Sequence, residues 1–465
     1  MIGTDDGSEP AVPSTGNGAT LVIVGGGGFR VPLVYRALAA GPFAGLVSDV
    51  VLLDALPARA HAMARVLAAI PGTAKPSLRV ESRLEDALPG AHIVFAAVRS
   101  GGADGRVLDE RVALAAGLLG QETVGAGGIS YALRSIPDMM RVAEGIRALA
   151  PEAWLINFTN PAGMVTEAVS AVLGQRVIGI CDSASGLVTR AARAAGLHLG
   201  ASLEGVDYVG LNHLGWLRGL QEPGGGPDRL PALLADPQRL GAFEEGRLFG
   251  PDLLRTLGAL PNEYLFYYYF HREALRSIRA ADRTRGEILR DQQGDLYPRL
   301  TAAADPLAVW EDARRERESG YLAEARAADE ERDEADLAGG GYEQVALRVM
   351  RALLTGVRAE LILNVRNGTT LPGLPEDAVV EVPAGVDQQG AVPLPARPLA
   401  EHQLGLMAAV KAVEQDTIRA AVHRDRDAAL RAFAGHPLID SFHAASSVLK
   451  GYEEAFPSLG STWSR

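Results

Sequence analysis

Four consecutive glycines, Gly25 to Gly28, follow directly on the apolar run Leu21 to Val24 and lead into an apolar-periodic stretch. A strand that enters a tight glycine turn and leaves as a helix brings backbone N–H groups to a helix N-terminus, where a pyrophosphate can rest. A second apolar run, Asp49 to Leu56, carries Asp54 near its end. An acid there bonds the ribose hydroxyls of a dinucleotide and favours NAD over NADP. Gly25, Gly26, Gly27, Gly28, Phe29 and Asp54 are therefore the candidate cofactor residues. A glycine cluster alone would serve equally as a flexible turn, and the acid after the next strand is what adds weight.

Further short apolar runs follow at Ala91 to Val98, Trp154 to Pro161 and Arg176 to Asp182, with helical patterns such as Val107 to Leu119 between them. Strands alternating with helices predict an α/β fold, a Rossmann-like doubly wound parallel sheet, over residues 21–190. Residues 191–465 read as an α+β substrate- and metal-binding domain, with an aromatic run Tyr264 to Phe270, antiparallel strands from Leu361 to Val392 and a helical C-terminus. Residues 1–20 read as a disordered tail. The segment Glu311 to Asp336 reads as a solvated helix or arm with a glycine hinge, and as a candidate flap over the site.

The formal net charge of -12 argues against nucleic acid or an anionic membrane as the main partner, yet leaves room for a local basic pocket. A single cysteine, Cys181, excludes an intrachain disulfide. With no signal-peptide pattern at the start and no apolar run of spanning length, the chain reads as cytoplasmic.

Ligands in an open α/β sheet bind at the carboxyl ends of its strands. Arg99, Asn160, Cys181 and Asp182 all follow predicted strands, so they are expected to converge beside the nicotinamide. A thiolate and an imidazole can share a borderline metal, which makes Cys181 and His213 a candidate ligand pair. Taken alone, these two fit at least as well as a core cysteine and a turn histidine.

The ordered motifs Arg99-Ser-Gly-Gly102, Gly120-Gln-Glu-Thr123, Asn157-Phe-Thr-Asn-Pro161, Cys181-Asp-Ser, Asn212-His-Leu214, Pro261-Asn-Glu-Tyr264-Leu and Thr284-Arg-Gly-Glu287 stand together in this chain, with Leu374 to Pro383 near its end. In this set the chain resembles glycoside hydrolase family 4, from Leu21 to about Asp440 and closest to the 6-phospho-β-glucosidases.

The resemblance implies an overall fold like that of lactate and malate dehydrogenases, and a glycosidase outside the usual two-carboxylate scheme. NAD oxidises C3 of the sugar, a base takes the C2 proton, the leaving group departs from C1, water adds, and C3 is reduced again. It also implies Cys181 and His213 as ligands of a divalent metal, manganese foremost. Tyr264 would be the C2 base, with Tyr267 and Tyr268 as the alternative assignments, and Asp182 would protonate the leaving oxygen or assist the metal or the opening of the ring. Asn160 would lie by the sugar, and Arg99 and Arg285 would hold a 6-phosphate. The substrate is then a phosphorylated disaccharide or glycoside, and the protein a homodimer or homotetramer.

Two features depart from the family. Cys181-Asp182-Ser183-Ala184 shares its Asp with a phospho-α-glucosidase group but lacks the proline, which leaves the anomeric preference open. Arg30 follows the glycine turn where the family carries serine close by, with consequences for the grip on the cofactor. The rival reading is an NAD-dependent 2-hydroxy-acid dehydrogenase, which would need a His–Asp pair and no metal.

Overall fold

The structure is a computed structural model that describes residues 18–319, 341–461 and 463. Twelve strands form one sheet. They are β1 (Ala19–Val24), β2 (Val47–Leu53), β3 (Ser77–Glu81), β4 (Ile93–Ala96), β5 (Trp154–Asn157), β6 (Val177–Gly179), β7 (Val206–Leu211), β8 (Leu214–Leu220), β9 (Leu260–Pro261), β10 (Ala359–Arg366), β11 (Val379–Asp387) and β12 (Gly390–Pro393). The order is β3-β2-β1-β4-β5-β6-β10-β11-β7-β8-β9, with β12 on β11. The pairs among β1 to β6 are parallel, whereas β10, β11, β7, β8 and β9 join antiparallel.

The first six strands are the expected doubly wound sheet. Successive side chains of a strand point to opposite faces. Leu21 and Ile23 of β1 accordingly enter one core, with helices Val31–Ala39 and Pro57–Ala69. Val22 and Val24 enter the other, with helices Gly125–Leu149 and Ala162–Leu173. Burial on both faces makes such strands read as continuous apolar runs rather than alternating ones. The order reverses between β2-β1 and β4-β5, and this switch point opens a crevice at the carboxyl ends.

The sheet runs across residue 190 without a break. Asn364 of β10 faces Gly179 of β6, and Glu381 of β11 faces Gly210 of β7. A third core joins helix Gly125–Leu149 to the C-terminal helices Glu401–His423, Arg426–Gly435 and Phe442–Ala455.

Several boundaries differ from the sequence reading. β1 begins at Ala19, inside the stretch read as tail; residues 1–17 lie outside the described residues. Pairing in β2, β5 and β6 stops at Leu53, Asn157 and Gly179, so Asp54, Asn160, Cys181 and Asp182 sit in the loops beyond. The helix read from Val107 starts at Gly102 and ends at Ala115. β3 escapes the apolar-run criterion because it is a half-exposed edge strand. The charged segment begins as part of helix Pro306–Ser319, and its residues 320–336 lie outside the described residues. No helix among the described residues is long and apolar enough to cross a membrane.

Gly25 shows why the turn is glycine. Its φ is +87°, and a Cβ there would lie 2.5 Å from the Ala97 carbonyl oxygen. Gly25→Ala is expected to cost about 1–3 kcal/mol in backbone strain before any clash is counted. A lowered thermal unfolding midpoint, together with weaker dinucleotide binding, checks this.

Candidate functional site

The glycine turn and Asp54 meet as expected. Asp54 Oδ2 accepts from Gly27 N at 2.9 Å and Oδ1 from Leu56 N at 2.8 Å. A Cβ on Gly27 would lie 2.9 Å from that carboxylate oxygen, so only glycine lets the acid approach the turn this closely. Helices from the second half of the chain cover the turn. Tyr297 Oη donates to Gly27 O at 2.7 Å, and Trp310 Nε1 donates to Phe29 O at 2.8 Å. The Phe29 ring lies 5.9 Å from Trp310.

Arg30, one residue further on, links the turn to the second centre. Its guanidinium is 3.6 Å from Asp182 Oδ2, and Asp182 adjoins Cys181. Cys181 Sγ lies 3.6 Å from His213 Nε2. Both side chains are buried. His213 occupies the tip of the hairpin between β7 and β8, at φ 63°. The Tyr264 ring stacks on His213 with centroids 3.7 Å apart and planes 12° apart. Tyr264 is placed by a short 3₁₀ turn, Glu263–Leu265, whose start is capped by Asn262 Oδ1 accepting from Tyr264 N at 3.0 Å.

Two groups here fit a cation. Burial pulls the His213 imidazole down to about 3, so it stays neutral with a lone pair to give. The Oδ1 of Asn160 is buried and has no hydrogen-bond partner among the described residues, and the same holds for His213 Nδ1, the ring nitrogen not in contact with Cys181. Burial first, then the charges of Glu381 and Asp182, pushes the Cys181 thiol well up, and a metal ion would reverse that. Zinc-type bonds of ~2.3 Å to sulfur and ~2.1 Å to nitrogen would span the 3.6 Å gap at a near-tetrahedral angle. No group of three or more His, Cys, Asp or Glu suited to a metal occurs among the described residues.

The third element is a cluster of arginines. Arg99 pairs with Glu122, and Arg106 holds the same carboxylate at 2.7 Å and Glu110 at 2.8 Å. Burial raises the Glu122 pKa, but Arg106 and Arg99 outweigh it and hold the carboxyl at about 2. The Thr284-Arg-Gly-Glu287 motif is a capping box: Glu287 Oε2 accepts from Thr284 N at 2.9 Å and Thr284 Oγ from Glu287 N at 3.3 Å. Gly286 N donates to Glu110 Oε2 at 2.8 Å, which seats the motif on helix Gly102–Ala115. Arg285 is thereby fixed beside helix Pro306–Ser319, its Nη2 donating to Arg317 O at 2.9 Å. The Arg317 guanidinium lies 4.9 Å from the Phe29 ring centroid. Burial, followed by the charges of Arg30, Arg99, Arg106 and Arg285, pulls Arg317 down to about 9. Arg99 and Arg106 are already offset by Glu122 and Glu110, so Arg317 is the cation of this group that a bound anion would relieve.

The expected residues for which contacts are seen fall into three groups: the glycine turn with Asp54, the Cys181–His213–Tyr264 centre with Asp182 beside it, and the arginine cluster with Arg99 and Arg285; Asn160 shows only a buried Oδ1 without a partner among the described residues. Arg106, Glu122 and Arg317 had no role on sequence grounds. Glu122 stands inside the quoted Gly120-Gln-Glu-Thr123 motif, so a signal was present. Arg317 was hidden in a charged segment that reads as solvated.

The sequence profile of the family 4 glycosyl hydrolases matches residues 21–197, and that of the family's C-terminal domain matches residues 208–439. The 6-phospho-beta-glucosidase of Escherichia coli (strain K12) is 30% identical over 373 residues, 77% of this chain and 76% of that one. Among solved structures, a 6-phospho-alpha-glucosidase from gut microorganisms, in complex with NAD and glucose-6-phosphate, is 25% identical with a TM-score of 0.78, over 97% of this chain and 99% of that one. The 6-phospho-beta glucosidase of Thermotoga maritima, with manganese, NAD+ and glucose-6-phosphate, shares the fold at a TM-score of 0.79 and 24% identity, over 95% and 99% of the two chains. With the profiles matching both halves and the sheet, turn and motifs in their places, this chain belongs to family 4 of the glycosyl hydrolases.

Proposed function

We propose that this protein hydrolyses 6-phosphoglucosides with the help of NAD and a divalent metal ion, manganese foremost. The observation that carries the reading is the Cys181–His213 pair with the Tyr264 ring stacked on it, one ion pair away from the glycine turn. A bound NAD supplies reversible oxidation at C3 of the sugar, and a bound metal ion supplies Lewis acidity at the C2 and C3 oxygens.

The chain's own residues do the rest. Gly25 to Gly28 and Phe29 receive the dinucleotide, and Asp54 takes its ribose. Cys181 and His213 would hold the metal, and the Asn160 amide would orient the sugar. Once C3 is a ketone, the proton on C2 is acidic and Tyr264 removes it. A phenol's ordinary pKa is about 10, so this base depends on nearby positive charge. The C1–O bond breaks while Asp182 delivers a proton to the leaving oxygen. Water would add at C1 and the proton would return to C2, and with NAD bound the cycle would close with no net redox change. The route does not depend on the anomeric configuration at C1, in keeping with likeness to both α- and β-acting relatives. Assembly as a homodimer or homotetramer in the cytoplasm, where the thiol stays reduced, completes the proposal.

The test is a panel of nitrophenyl glycosides, α and β, glucose and galactose, with and without 6-phosphate, assayed with NAD, Mn2+ and a thiol reductant. Cleavage that needs both NAD and metal, without accumulation of NADH, is expected. Net NADH from hydroxy acids with no cleavage would support the dehydrogenase reading instead. Arg99, Arg285 and Arg317 form the phosphate pocket. Arg317→Ala is expected to raise KM for the phosphorylated substrate about ten- to hundredfold, the worth of a charge-assisted hydrogen bond, with kcat little changed.

A further inference from the structure

Glu381 of β11 is 1% exposed and lies behind the metal pair. It accepts three hydrogen bonds: at Oε2 from Tyr208 Oη at 2.9 Å, and at Oε1 from Asn212 Nδ2 at 3.2 Å and Asn364 Nδ2 at 3.1 Å. These partners are not arbitrary. Asn212 immediately precedes His213. Asn364 is the register partner of Gly179, two residues before Cys181. One carboxylate therefore ties together the two segments that carry the ligand pair.

His213 needs such a tie. A non-glycine residue at φ 63° stores strain of order 1–3 kcal/mol and persists only where its surroundings over-determine it. Asn212 clamps the turn from both ends of its amide, since its Oδ1 also accepts from Ala162 N at 3.2 Å, just beyond Asn160 and Pro161. The packing is tight enough to transmit this. A Cβ on Gly179 would lie 2.8 Å from Asn364 Cβ, and one on Gly163 would lie 3.3 Å from Asn212 Cβ.

We infer that Glu381 is a positioning residue for the metal centre, holding His213 and Cys181 at ligand spacing through Asn212 and Asn364. This rests on the metal-binding reading above. Groups that orient metal ligands from behind typically contribute ten- to hundredfold in metal affinity. Among the described residues Glu381 hydrogen-bonds to Tyr208, Asn212 and Asn364 and to no residue of the glycine turn or the arginine cluster, so NAD binding serves as the control.

The experiment titrates Mn2+ into reduced protein, following free Mn2+ by electron paramagnetic resonance, with NAD binding measured in parallel by fluorescence. Glu381→Ala is expected to weaken Mn2+ binding by about tenfold or more while NAD affinity is unchanged. Glu381→Gln, which keeps the shape and can satisfy both asparagines, is expected to stay closer to the native protein than to Glu381→Ala. Should Glu381→Ala fail to fold, Asn212→Ala cuts the same link at its other end and is expected to weaken Mn2+ binding in the same way. Native Mn2+ affinity in a folded Glu381→Ala or Asn212→Ala protein overturns the inference. So does a Glu381→Gln protein that loses as much as Glu381→Ala, because charge rather than hydrogen-bond geometry would then be at work. If the native protein itself binds no Mn2+, the metal reading falls and this one with it; if the native protein and the variants bind Mn2+ alike, this one falls alone.

Discussion

Cys181→Ser is expected to lower glycoside cleavage by about a thousandfold, since Lewis-acid stabilisation is worth several kcal/mol and each ~1.4 kcal/mol is a factor of ten. The substitution keeps the size of the side chain and exchanges a thiolate donor for a hydroxyl that stays protonated. His213 is then the remaining half of a two-member pair, with no cluster of three metal-binding side chains among the described residues to compensate. NAD binding should be untouched, because the glycine turn and Asp54 hold their places without Cys181. Cleavage rates at saturating Mn2+, measured alongside NAD affinity, check this. Undiminished cleavage would mean that Cys181 is only a buried apolar residue and that the pair has no chemical role.

Tyr264→Phe is expected to lower kcat by about a hundredfold to ten-thousandfold, the usual worth of a positioned base. Phenylalanine keeps the ring that packs 3.7 Å from His213, so the metal centre and KM should change little. The specific readout is isotopic. In D2O the native enzyme should place deuterium at C2 of the released sugar, and Tyr264→Phe should lose this exchange in step with turnover. If exchange persists, the base lies elsewhere, and Tyr268, which lines the same small cavity as His213, is the next candidate.

The glycine turn and the parallel strands were legible in the chain, because each rests on a local rule. A run of apolar residues buried on both faces, a glycine forced by positive φ, and an acid just past a strand leave marks within a few residues of one another. The capping box at Thr284 is equally local, although the sequence alone presented it only as a motif. Strand ends were less legible. The apolar character of Val177 to Cys181 continues past Gly179, but pairing depends on where the neighbouring strands stop.

What only the tertiary structure decided is which distant groups share a charge. Arg317 lies on a helix whose neighbours in sequence are mostly charged and solvated, and nothing local separates it from them. Its place among Arg30, Arg99, Arg106 and Arg285 follows from how helices Gly102–Ala115, Arg285–Ala302 and Pro306–Ser319 pack together. Glu381 likewise lies in a strand that reads as apolar alternation, and its role depends on β11 lying between β10 and β7. The physical reason is common to both. Backbone conformation and apolar patterning are short-range properties that a sequence displays directly. The electrostatic environment of a buried charge is set by groups tens to hundreds of residues away, and it exists only once the sheet order has brought them together.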